Sequence, residues 1–297
     1  MTWLFWALPI FFYIGAWILY VRFVRARALL QTTTLHNKRI CLLIAHPDDE
    51  VMFFAPTVIA LTDPALNNHV SILCISNGSG DGDGAVRSKE LIKSALMLGI
   101  RSKDDITVLD DANFPDSFSV TWNPRLLSNL LTARLAPKMA SISANAPPEA
   151  DVDVLITFDK HGVSAHPNHK SLYHGTLSFL KAIMHKHSGS QWTCPIKLYT
   201  LNSTSLVRKY AGIFDPLLTL LPQALGTLIE QHVERDDTSE FPGTLVFLNS
   251  LEDTIRAIRA MKHGHESQMM WFRYGYLVAS RYMIMNELVQ VEQTEMG

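Results

Sequence analysis

The run CLLIAHPDDEVMFFAP, Cys41 to Pro56, sets His46, Asp48, Asp49 and Glu50 directly after a stretch of apolar residues. Neighbouring carboxylates repel one another, so three consecutive acids call for an offsetting charge, and a bound cation is one such charge. A second cluster, FDKHGVSAHPNHK from Phe158 to Lys170, places His166 and His169 three residues apart around Pro167. Two imidazoles and one carboxylate make a zinc site with a position left open for water, as in hydrolytic zinc enzymes. His46, Asp49 and His169 are the expected ligands, with zinc or another divalent ion as the cofactor. Asp48 and His166 are then left for acid–base work. The bland alternative is a helix cap, in which Asp48 or Asp49 bonds free backbone N–H groups. It accounts for one acid but not for His46, and it leaves His169 unrelated. Glu50 reads as an exposed or capping acid, with an active-site role as the alternative.

Two clusters so far apart in sequence meet only if each leaves the same edge of one sheet. Ile40 to Ala45 reads as a buried strand that Pro47 stops. Further strands are expected at Val70–Ser76, Ile106–Asp110, Asp153–Asp159, Ile196–Asn202 and Thr244–Asn249. Between them lie helical stretches: Val51–Leu61, Arg87–Leu98, Pro124 to about Ser143 with a break at Pro137, and Asn168–His185. Helices are expected from Leu251 to the end, carrying His265 and Gln268 on a packed or solvated face. This alternation implies an α/β fold, a Rossmann-like, mostly parallel sheet flanked by helices. In such sheets ligands bind beyond the carboxyl ends of the strands, where both clusters fall, together with the Asn77–Gly84 loop. That loop contains G-x-G-x-x-A at Gly80, Gly82 and Ala85, but it follows the second strand, and Asp81 and Asp83 would repel a pyrophosphate. Asp159 and His161 suit either a plain loop or a role in orienting a ligand imidazole.

The chain has 297 residues, enough for one full core, and 47% hydrophobic with 18% charged residues excludes disorder as the main state. A net charge of −2 offers no electrostatic basis for nucleic-acid binding. Cys41, Cys74 and Cys194 form no CxxC pair, which suits a reduced, cytosol-facing protein. Met1 to Val21 holds no charged side chain, and about 20 apolar residues cross a bilayer core as a helix. Arg22, Arg25 and Arg27 follow at once, which puts the rest of the chain on the cytoplasmic side. A cleaved signal peptide fits less well, because the basic n-region and the small-residue cleavage site are missing. The expected organisation is a single membrane anchor and linker over 1–37 and a cytoplasmic domain over 38–297. PLLTLLPQALGTLI, Pro216 to Ile229, is too short and broken to span a bilayer and suits core or interface.

AHPDDE with the later GVSAHPNH resembles the LmbE-like zinc deacetylase family. Within it, the chain is similar to the membrane-anchored branch that acts on N-acetylglucosaminyl-phosphatidylinositol in GPI-anchor synthesis. SNGSGDG after the second strand, RSKEL at Arg87–Leu91 and HESQMMWFRY at His265–Tyr274 support this, and the likeness runs from Lys38 to about Tyr282. The resemblance implies His46, Asp49 and His169 as zinc ligands, Asp48 as general base, and His166 as oxyanion partner or acid. It also implies that Arg87 holds the substrate's phosphate or hydroxyl groups, with Asn77 beside it as a second substrate-binding candidate. The alternative for Arg87 is a surface pair with Glu90. The implied setting is the endoplasmic reticulum membrane, with membrane lipid around the substrate. Rival readings are deacetylation of another N-acetylglucosamine conjugate, or a catalytically silent membrane subunit of this fold.

Overall fold

Pairing on both edges and cover on both faces explain why the first strand is apolar after its opening arginine. Strand β1 (Arg39–Ile44) lies between β2 (His69–Cys74) and β4 (Val154–Phe158), and all but its first residue are buried. The computed structural model describes residues 34–80, 83–143, 146–185, 192–216 and 240–292, with residues 15 and 219. Its seven strands run in the order β3-β2-β1-β4-β5-β7-β6, with β3 at Ile106–Val108, β5 at Lys197–Leu201, β6 at Thr244–Leu248 and β7 at Met285–Gln290. The first five are parallel, and β7 runs antiparallel to both β5 and β6. Chain order reverses between β1 and β4, which opens a crevice at their carboxyl ends. Leu42 pairs with Ile156, and the Thr157 hydroxyl donates to Leu43 O at 2.9 Å, so the two strands finish level.

The helices that flank the sheet are α1 (Asp49–Met52), α2 (Ala55–Leu61), α3 (Gly84–Leu98), α4 (Pro124–Leu135), α5 (Pro167–His185), α6 (Leu251–Arg259) and α7 (Trp271–Ala279). Two expectations are corrected. The helix expected over Val51–Leu61 is two helices that break at Phe53–Phe54. Pro56 has no N–H to bond back into α1 but is well tolerated in a first turn, so a new helix begins there. Asn286 holds the break, accepting from Thr57 N at 3.1 Å and donating to Phe53 O at 2.8 Å.

The second correction is β7, which lies where helix was expected. Met, Glu, Leu and Gln are good helix formers, so local preference in MNELVQ points the wrong way. Ladders on both sides and the burial of Met285, Asn286 and Leu288 override it. Among the described residues no helix is long and apolar enough to cross a membrane. The anchor expected over Met1–Val21 lies outside them apart from Gly15, as does all of 217–229 but Thr219.

Candidate active site

Pro47 ends β1, and the chain turns at Asp48 with φ 118°, a left-handed conformation costly for a residue with a β-carbon. A buried network holds the turn. Glu50 accepts from Asp48 N at 3.1 Å, from the Ser94 hydroxyl at 2.7 Å and from His265 Nε2 at 2.6 Å. Glu50 is therefore not an exposed acid, and His265 sits on no solvated face; both are fully buried. Burial alone would lower the His265 pKa, but the Glu50 charge and hydrogen bond raise it above its ordinary value.

This turn sends the two aspartates to different places. The Asp49 carboxylate folds back over the strand end, its Oδ2 accepting from Ala45 N at 3.0 Å and His46 N at 2.9 Å. Its Oδ1 faces His169 Nε2 at 3.2 Å, and Oδ2 lies 3.9 Å from His46 Nδ1. Burial pushes its pKa up, but the His169 and His46 charges and these hydrogen bonds outweigh burial and hold the carboxyl well below its usual range. Asp48 takes the N-cap position of α1 without a side-chain capping bond, so the capping alternative fails for it. Its Oδ2 instead accepts from Arg273 Nη1 at 2.6 Å.

His169 is the third residue of α5, and its ring stacks on Phe158 with centroids 4.0 Å apart. Its Nδ1–H donates to Gly162 O at 3.1 Å, which leaves the lone pair on Nε2. On His46, Nε2 lies 3.0 Å from Asn168 Oδ1 and 3.2 Å from Asp116 Oδ1; two acceptors there put the proton on Nε2 and the lone pair on Nδ1. Two imidazole lone pairs thus face one carboxylate, an arrangement that repels unless a cation or added protons lie between them. Back-side hydrogen bonds to a carbonyl and to carboxylate or amide oxygens are those of metal-bound histidines. The residues present fit a divalent ion. His166 also belongs here, because one ring nitrogen from each of His46, His166 and His169 lies within 4.8 Å of the others. Its Nδ1 accepts from Asn168 N at 3.2 Å, and burial with the neighbouring His169 and His46 charges lowers its pKa to about 4.

Arg87 is 3% exposed and lies beneath the site rather than at a mouth. Its guanidinium donates to Gly78 O at 2.7 Å, Asp116 Oδ2 at 3.1 Å and Pro47 O at 2.9 Å, bracing the loops after β1 and β2 together. Gly78, at φ 76°, leaves room for it: a β-carbon there would come within 2.5 Å of the guanidinium. The surface pair with Glu90 does not form, because Glu90 accepts from Ser267 N at 2.7 Å and the Ser267 hydroxyl at 2.6 Å. Asn77 Oδ1 accepts from Ser79 N at 3.0 Å and shapes the loop. Asp159 accepts from His161 N and Gly162 N, both at 2.9 Å, so it shapes the turn that offers Gly162 O to His169 and touches no ligand imidazole. Gln268 is buried and donates to the Ser267 hydroxyl at 3.0 Å.

Sequence reasoning missed three partners. Asn168 stood inside the second motif, between the two histidines, and that position was its signal. Asp116 comes from a loop whose pattern does not mark it, and Arg273 stood inside the HESQMMWFRY motif without being singled out.

A model of the family described as PIG-L: GlcNAc-PI de-N-acetylase matches residues 41–180, the stretch that carries both histidine–acid motifs. The N-acetylglucosaminyl-phosphatidylinositol de-N-acetylase of Arthroderma benhamiae is 44% identical over 295 residues, covering 86% of this chain and 88% of that protein. The enzyme of that name from Bos taurus is 33% identical over 252 residues, covering 85% and 83%. Among solved structures, a deacetylase of the teicoplanin biosynthesis pathway aligns with a TM-score of 0.48 at 12% identity, over 86% of this chain and 99% of that one.

Proposed function

The chain belongs to the N-acetylglucosaminyl-phosphatidylinositol de-N-acetylase family, and from that premise we propose how its residues divide the work and where the enzyme sits. It is a hydrolase that removes the acetyl group from N-acetylglucosaminyl-phosphatidylinositol, a step of GPI-anchor synthesis. His46, Asp49 and His169 hold a divalent ion, zinc in our reading. The observation that carries this is the pair of lone-pair-bearing nitrogens turned toward the Asp49 carboxylate. Such an ion supplies Lewis acidity for the acyl oxygen and brings the pKa of a coordinated water to about 7.

The protein's own groups do the rest. Asp48, adjacent to the ligand set and aligned by Arg273, accepts the proton of the attacking water and returns it to the departing amine. His166, with a pKa of about 4, is neutral at pH 7. Its Nδ1 accepts from Asn168 N, so the ring proton resides on Nε2, which donates to the tetrahedral oxyanion. Arg87 keeps the Pro47 and Gly78 carbonyls in register, and with them the Asp48 turn. Asn77 stands at the foot of the loop beside the site as a sugar contact. A Met1–Val21 anchor in the endoplasmic reticulum membrane, with the domain facing the cytoplasm, suits a lipid-borne substrate.

The test is metal content and acetate release on the purified enzyme. Chelation should remove both, and zinc should restore both. Asp49→Ala and His169→Ala should each lose both together. Parent-level acetate release from metal-free protein would overturn the ligand assignment.

A further inference from the structure

Lys209 closes a short helical turn, Leu206–Lys209, and is only 6% exposed. Its ammonium lies 5.8 Å from the centroid of the Phe53 ring and 5.7 Å from that of Tyr210. Among the described residues it has no acidic partner and no hydrogen bond, and burial draws its pKa below the ordinary lysine value. A partly desolvated cation without an acidic partner is costly to keep, and a contact with two ring faces offsets only part of that cost. The turn is nonetheless held firmly. Arg208 donates to Asp215 at 2.7 Å, and the buried Arg281 takes the other oxygen of the same carboxylate.

Position gives the unpaired charge its meaning. The Phe53 ring is shared by Lys209 and the ligand set, with its centroid 5.6 Å from that of His169. The turn also packs toward α7, through Tyr210 against Tyr276 at 6.4 Å. The outer faces of these two segments are apolar and open to solvent: Val207 is 82% exposed and Trp271 84%. The two segments thus bring Arg273, the ion-pair partner of Asp48, a cation with no acidic partner among the described residues, and an apolar outer face into one neighbourhood. The substrate joins three matching parts, an N-acetyl sugar, an inositol ring bearing a phosphodiester, and acyl chains.

We infer that Lys209 binds the phosphodiester of the lipid substrate while the N-acetyl group lies at His46, Asp49 and His169. This rests on the deacetylase reading above and adds a recognition element to it. The anion displaces no partner of Lys209 among the described residues, and its contact with the ammonium is partly shielded from water, where charge-assisted hydrogen bonds are strongest. A purely packing role is the competing account, with the lysine stem laid along Phe53 and the charge idle.

The test compares two substrates on the full-length enzyme: the lipid itself and the phosphate-free N-acetylglucosaminyl-inositol. In Lys209→Met, which keeps the stem and removes the charge, the kcat/KM preference for the phosphate-bearing substrate should fall about tenfold, carried by KM. Lys209→Arg should retain most of it. Inositol 1-phosphate should compete with substrate on the parent and about tenfold more weakly on Lys209→Met. Bound metal confirms that each variant is folded, and Lys209→Gln replaces the methionine variant if that one loses metal. An equal loss on both substrates, or an unchanged preference, would overturn the proposal. Failure of the parent to release acetate from either substrate would instead bring down the deacetylase reading beneath it.

Discussion

Asp48 and Asp49 are chemically alike and adjacent, yet one backbone angle separates their tasks. With φ 118° at Asp48, Asp49 turns back under the strand end, while Asp48 reaches Arg273 on the far side of the turn. Removing the Asp48 charge should therefore leave the ligand set intact. Asp48→Asn is expected to bind metal like the parent while kcat falls about a hundredfold to ten-thousandfold, the range of a lost general base. Metal analysis beside acetate-release kinetics reads both, and near-parent turnover would remove Asp48 from that role. The histidines and acids of the two motifs were legible because each cluster is compact in sequence and stands just past a recognisable strand. Where Arg87 points was not legible, because its targets, Pro47 O and Gly78 O, are backbone groups whose positions depend on two loops. A guanidinium expected on the substrate's phosphate or hydroxyl groups is a buried brace 3.6 Å from Asp48, and the closer cation against Asp48 comes from α7.

Elements position these residues through a few contacts of their own. The Asp159–Gly162 turn feeds one carbonyl to His169, and Gly162 sits there at φ 67°. A β-carbon at that position would lie 3.0 Å from the His169 β-carbon, in a conformation that residues with side chains rarely adopt. Gly162→Ala should shift the carbonyl, release the His169 tautomer and weaken metal binding about 10- to 100-fold, as expected when an outer partner of a ligand is lost. Competition with a chelating dye measures this directly; unchanged affinity would mean that the carbonyl contact is incidental. At this scale the parallel strands were readable, since burial on both faces leaves continuous apolar runs such as CLLI and VLITF. β7 was not, because its helix-favouring residues become a strand only through partners far away in sequence. The α1–α2 break was hidden for the same reason, with Asn286 on β7 bonding the backbone at Phe53 and Thr57.

For the whole molecule, the described site and the core that supports it use residues between 34 and 292 and none of the proposed anchor. Deleting Met1–Val21 should shift the protein from the membrane fraction toward the soluble one while bound metal stays at the parent level. Protease added to sealed microsomes should digest the domain of the intact protein; full protection would put it in the lumen. Class and crevice were foreseeable from alternating patterns, but the order of the outer strands was not, because no local pattern records which strand lies between two others. That order has a consequence for synthesis. Among the described strands β6 pairs only with β7, and β7 follows all the others in the chain, while His265 and Arg273, the partners of Glu50 and Asp48, also come after the parallel strands. Domains begin to fold from the amino terminus as they emerge. A nascent chain can therefore assemble its parallel strands early, yet it carries its acidic turn without His265 and Arg273 until the stretch that leads into α7 has been made. The site is completed only when β7, the latest of the described strands, slots between two older ones.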